Sequence, residues 1–247
     1  MFFHHLLQLR IRLLGLFLMA WFGSYAQKQP LMNAPLLVRK CVDFSITGKG
    51  GAAEWGKAEW NTLTQLDPGV QDYDSRFKIL YSATGIYLLF DGKDKKITTT
   101  YDQDFDDLYN ADVFEVFFHP DPKVPLYFEY EINQLNKELV LLIPNFNKQF
   151  SGWMPWHYEG KRKVQKQVHI EGGNQEKGAS ISAWSAELFI PFGLLATLPN
   201  VPPKSGTIWN ANFYRLDYDT SKMIKWAWSP VEQSFHEYKK FGSIRFE

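Results

Sequence analysis

The sequence predicts an all-β chain, folded as a single-domain antiparallel β-sandwich of jelly-roll type. Three observations predict it. Short alternating apolar and polar segments recur after residue 40, split by Gly, Pro, Asn and Asp, the pattern of strands joined by turns. No helix-period pattern of useful length follows residue 27. Aromatics make up 17% of the 247 residues, with nine Trp, twelve Tyr and twenty Phe. Such residues favour strands and also supply flat platforms for ligands.

The N-terminal residues read as an export signal. Arg10 and Arg12 precede an uncharged run over 13–22, and the small residues Ser24 and Ala26 follow. That is the three-part secretory pattern, so residues 1–26 are expected to be a signal peptide and the protein periplasmic or extracellular. The run is too short to cross a bilayer comfortably, so no stable membrane span is expected once the signal is removed; an uncleaved anchor is the alternative. Residues 27–39 are a lead-in and 40–247 the domain. Cys41 is the only cysteine, so no internal disulfide forms and stability rests on the core. Lys and Arg (27) balance Asp and Glu (27), which argues against a nucleic-acid partner, since that needs a basic field.

The strands follow in order. Residues 76–81 and 86–90 flank Ser82-Ala83-Thr84-Gly85, a hairpin signal. Residues 112–118 (DVFEVFF) and 127–133 (YFEYEIN) are two strands joined by a proline-rich loop, and 138–143, 164–170, 181–190, 207–218, 224–228 and 242–246 continue the series. Residues 144–163 are expected to be a long loop. The basic run over 161–166 is expected to guard an exposed strand edge.

Four stretches in order resemble the family 9 carbohydrate-binding modules: DDLYNADVFEVFF (106–118), YFEYEIN, WSAELFIPFGLL (184–195) and WAWSPVEQSFHEYKKFGSIRF (226–246), with ANFYRLD (211–217) also fitting. The likeness covers about residues 40–247. It implies a β-sandwich, binding of an oligosaccharide or polysaccharide, and in many members a structural calcium. Many members are attached to glycoside hydrolases. The resemblance also implies two aromatics clamping a terminal sugar, at Tyr109 and Phe235, with a strand Glu at Glu115. The family's Arg position falls at Glu131, a departure that exchanges a cation for an anion. Arg215, on a neighbouring strand, is the candidate to balance Glu115 and Glu131.

The residues themselves say why such a site suits a sugar. Aromatic rings cover the apolar C–H face, and carboxylates accept from paired hydroxyls. Strand parity puts Glu115 with Val113 and Phe117, and puts Tyr127, Glu129, Glu131 and Asn133 on one face. The plain reading of that second row is a solvated sheet face. Glu115, flanked by apolar residues, must be paired or face a ligand. Tyr109 and Phe235 also have a plain reading as core residues. Trp153 and Trp156 on the expected loop, and His236 beside Phe235, are further candidates for the binding surface. Asp104, Asp106 and Asp107, with Asp102, are the candidate calcium ligands; a solvated acidic loop is the plainer alternative.

Two other functions stay open. Glu115 and Glu131 could serve a glycoside hydrolase as acid and base. A haem sandwich could draw on His119, His157, His169, His236, Met154 and Met223, although no Cys-based attachment motif is present. A sandwich that has lost its sugar site is a further structural reading.

Overall fold

The computed structural model describes residues 34–67, 69, 73–147, 149–220 and 222–247. The expected signal peptide and the first part of the lead-in lie outside the described residues. In chain order the strands are β1 (Leu36–Lys40), β2 (Asn61–Thr62), β3 (Thr64–Gln65), β4 (Ser75–Tyr81), β5 (Gly85–Lys93), β6 (Val113–His119), β7 (Leu126–Asn133), β8 (Glu138–Phe146), β9 (Gln149–Phe150), β10 (Met154–Pro155), β11 (Gln165–Glu171), β12 (Ala183–Pro191), β13 (Ile208–Asp217), β14 (Ile224–Ala227) and β15 (Gly242–Phe246).

The strands make two sheets. One runs β10-β8-β7-β6-β13-β15-β1, with β14 added beside β13; the other runs β1-β4-β5-β12-β11. β1 belongs to both. Its residues Leu36, Leu37 and Val38 pair in parallel with Ile244, Arg245 and Phe246, and Arg39 and Lys40 pair in parallel with Leu80 and Tyr81. All other strand pairs are antiparallel, as expected. The sandwich therefore takes in β1, upstream of residue 40, where the sequence pattern starts the domain.

Large aromatics fill the space between the sheets. Phe77 of β4 stacks on Phe213 of β13 at 3.8 Å, Phe90 of β5 on Phe114 of β6 at 4.9 Å, and Phe114 meets Trp184 of β12 at 4.2 Å. Burying each such side chain contributes roughly 1.5–3 kcal/mol, which is how a chain without disulfides holds together.

Both outer faces are also partly covered. On the second sheet the buried carboxylate of Glu187 accepts the backbone N–H groups of Thr47 (2.8 Å), Gly48 (2.9 Å) and Gly50 (3.2 Å) and the indole N–H of Trp55 (2.7 Å). With the Ser185 hydroxyl donating to the Gly48 carbonyl, the Lys78 ammonium to the Trp55 carbonyl and the Phe44 N–H to the Tyr87 hydroxyl, Glu187 pins the segment between β1 and β2 to the sheet. On the first sheet a second apolar cluster gathers Leu108, Phe117, Tyr127, Leu141, Tyr214, Val231 and Phe241. The row Tyr127, Glu129, Glu131 and Asn133 is consequently buried, which corrects the expectation of a solvated face. Nor are residues 144–163 one long loop: β8 runs on to Phe146, and β9 and β10 fold back to pair with it. β11 is an edge strand, with Lys161, Arg162 and Lys163 exposed in the turn before it.

Candidate functional site

Alternation along β6 and β7 builds the floor of the site. Glu115 stands opposite Glu131, and Phe117 opposite Glu129. A cavity of about 460 Å³ opens over this face. Glu115, Phe117, Glu129, Leu141 and Leu216 line its base; Tyr109, Trp153, Tyr218, Met223, Phe235 and His236 form its sides, with Lys225 at the β14 flank. It thus combines apolar rings with few polar groups, the make-up of a small-molecule pocket.

Each wall has a local cause. Tyr109 sits in a short 3₁₀ turn, Leu108–Asn110, anchored by buried Leu108, and its carbonyl accepts the Tyr218 hydroxyl at 2.8 Å. Burial first, then the charge of Asp107, pushes the Tyr109 phenol up to about 12. Phe235 lies flat on Tyr214, ring centres 4.0 Å apart. Its loop is shaped by Glu237, whose carboxylate accepts the N–H groups of Gln233 and Ser234 and pairs with Lys240 at 2.7 Å. Ser234-Phe235-His236-Glu237 has the serine-x-x-glutamate spacing of a capping box, a signal the sequence carries. Trp153 meets Tyr109 edge-on at 5.9 Å, and Phe150 stacks on His236 at 4.1 Å. The His236 Nδ1 lies 2.7 Å from the Tyr127 hydroxyl, and burial holds the ring near pKa 4, hence neutral.

The floor carboxyls are unusual. Burial, then the neighbouring Glu129, raises Glu115 well above the ordinary range. Burial, then Glu115 and Glu129, does the same to Glu131. Burial pushes Glu129 up to about 8. Each therefore keeps its proton to higher pH than a free glutamate, and the Glu129 and Glu131 carboxyls interact with each other.

The structure brings together Tyr109, Glu115, Trp153, Phe235 and His236 in one cavity. Three other candidates lie elsewhere. Glu131 is fully buried behind the lining, beside Glu115 and Glu129, which with burial raise its hold on a proton; no arginine balances it. Trp156 packs against the inter-sheet core, its indole N–H donating to the Leu194 carbonyl at 3.2 Å. Arg215 is turned to the opposite face from Tyr214 and sits between the sheets. There it binds Asp217 (2.7 Å), Asp94 (3.0 Å), the Ser75 hydroxyl (2.9 Å) and the Lys93 carbonyl (2.7 Å). It does not balance Glu115 and Glu131. Glu129, Phe117 and Tyr218 are cavity residues not among the sequence-derived candidates; for Glu129 the signal is its strand parity with Glu131.

Of the residues considered for haem, His236 and Met223 line the cavity, and His236 already engages Tyr127. For calcium, the expected aspartates have protein partners. Asp104 binds Lys166 at 2.5 Å and the Glu138 N–H at 3.1 Å, Asp106 accepts the Gln103 N–H at 3.1 Å, and Asp107 acts on Tyr109. Among the described residues, the acidic oxygens that converge within 4.8 Å belong to Asp94, Asp217 and Asp219. Arg215 already fills that centre with its own positive charge, and Asp219 accepts the hydroxyls of Thr98 and Tyr73, so the arrangement does not fit a calcium ion.

The family model described as carbohydrate family 9 binding domain-like matches residues 46–247. The chain belongs to that family. No curated protein matches it. Three solved structures share the family 9 domain's fold. A proposed carbohydrate-binding protein from Bacteroides uniformis ATCC 8492 has TM-score 0.72 and 18% identity, over 86% of this chain and 99% of that one. A family 9 module from Caldicellulosiruptor kristjanssonii in complex with cellotriose has TM-score 0.63 and 15% identity, over 87% and 94%. The same organism's module in complex with glucose has TM-score 0.56 and 13% identity, over 85% and 95%. The family is one of binding domains, and the described part of this family 9 domain holds no helix long and apolar enough to cross a membrane.

Proposed function

We propose that this family 9 domain binds a terminal sugar of an oligosaccharide or polysaccharide in the cavity over β6 and β7, without catalysis. The protein carrying it is exported to the periplasm or cell exterior and assists polysaccharide breakdown there. The observation that carries the reading is the meeting of Tyr109, Trp153 and Phe235 around two pocket-facing carboxyls, Glu115 and Glu129. Rings take the apolar faces of a sugar, and carboxyls take its hydroxyls. The saccharide complexes of two structural neighbours support it. The test is a calorimetric titration of residues 27–247 against soluble oligosaccharides, with Tyr109→Ala alongside. Saturable binding lost in Tyr109→Ala is the expected result; a folded protein that binds no glycan overturns the reading.

A further inference from the structure

Buried carboxyls in this protein are well supplied with donors. Glu187 has five, Asp112 accepts from the N–H groups of Thr98 and Tyr218, Glu138 from the hydroxyls of Tyr130 and Tyr158, and Asp94 and Asp217 from Arg215. The cavity floor breaks this pattern. Glu129 Oε2 and, just behind the lining, both carboxyl oxygens of Glu131 are buried and receive no N–H or hydroxyl from other described residues, the two carboxyls having only each other. Glu115 is 2% exposed, and no protein donor reaches it among the described residues. Buried oxygens left so are costly unless something outside the chain donates to them.

We propose that the cavity selects a saccharide bearing a free amine, whose ammonium group seats against Glu115 and Glu129. The inference rests on the carbohydrate reading above and narrows it to a sugar class. An ammonium supplies three donors and a positive charge, which is what the floor lacks. The rings of Tyr109, Trp153 and Phe235 around the cavity favour a cation over their faces. A metal ion fits less well, because these glutamates are not among the groups whose oxygens converge for one. Uronic acids are disfavoured by the same carboxyls.

Several charged or titratable groups face the floor. His236 approaches Glu129 at 3.9 Å but is neutral. Tyr127, Tyr109 and Asp107 add no positive charge, and Lys225 stands at the β14 flank. Seating an ammonium ionises one floor carboxyl, whose proton passes to solvent. The ammonium keeps its own protons, so the exchange is one cation in and one proton out.

The test compares three ligands by calorimetry at pH 7: the β-1,4-linked glucosamine disaccharide, cellobiose, and the di-N-acetylated disaccharide. Buffers of different ionisation enthalpy count the protons. We expect the diamine to bind at least tenfold tighter than cellobiose with release of a proton, N-acetylation to abolish the gain, and Glu129→Gln to bring the ratio to near one. Cellobiose binding as tightly as the diamine overturns this inference and leaves the carbohydrate reading standing. No binding by any of the three, or by the wider glycan panel, overturns both.

Discussion

Glu115 and Glu131 stand directly opposite each other on β6 and β7, and both hold their protons more tightly than a free glutamate, Glu115 through burial and then Glu129, Glu131 through burial and then Glu115 and Glu129. A carboxyl whose pKa is higher in the folded than in the unfolded chain binds more protons when folded. Its folded state therefore loses stability as pH rises from the unfolded value toward the folded one. For Glu129 that window runs from 4.5 to about 8. The unfolding free energy from urea titrations is expected to fall steadily from pH 5 to pH 8, by up to about 1.4 kcal/mol per pH unit for each titrating group. Glu131→Gln keeps the shape without the charge and should flatten the slope; an unchanged slope would argue that the floor stays ionised.

The two tryptophans of the β9–β10 region should separate cleanly. Trp153 lines the cavity, whereas Trp156 packs on the core. Trp153→Ala is expected to weaken glycan binding by about tenfold or more, roughly 1.4 kcal/mol, at nearly constant melting temperature. Trp156→Ala should instead cost about 3 kcal/mol of stability. Titration and thermal unfolding of both variants decide it.

Tyr109 and Phe235 test the walls. Tyr109→Phe keeps the ring and should retain most affinity, whereas Tyr109→Ala should lose at least about tenfold. Phe235→Ala also exposes Tyr214, on which it lies, so a small loss of stability should accompany its loss of binding, visible in a denaturant curve.

Arg215→Met would leave Asp94 and Asp217 facing each other without their cation. Removing one partner of a buried ion pair costs about 3–5 kcal/mol. Gly92→Ala should act on the same network, because a Cβ there would come within 2.7 Å of the Arg215 Nη1. Urea denaturation measures both, and an Arg215→Met variant of wild-type stability would contradict the role given to the guanidinium.

Glu187→Ala removes the acceptor shared by Thr47, Gly48, Gly50 and Trp55. The segment between β1 and β2 should then become the first site of limited proteolysis, while glycan binding on the opposite sheet stays as it was. Mass spectrometry of early fragments locates the cut.

The main strands could be read from the sequence because their period of two is local. Residues 112–118 and 127–133 fall within a residue of β6 and β7, and their parity put Glu115 on the correct face. Partners distant in sequence could not be read that way. Arg215 was assigned to the carboxylates of the cavity on a charge argument, yet alternation along β13 turns it to the other side of the sheet from Tyr214. Burial of the glutamate row is not legible in its own period, because the covering comes from the turn at Leu108 and from Val231 and Phe241, the last two far along the chain. β9 and β10 are two residues each, too short for any period to show, and β1 gains its identity only from β15 and β4.

That last strand has a consequence for how the fold is completed. Leu36 pairs with Ile244, more than two hundred residues away, while Lys40 pairs with Tyr81. During synthesis β4 is available early, but the other half of β1 must wait for residues 242–246. Pairings of such separation are slow to close. Until they form, the edges of both sheets stand open, and edges of that kind recruit other chains. A protein shortened by these few residues would keep the residues that line its cavity and still be expected to aggregate, because the seam joining its two sheets would never be sewn.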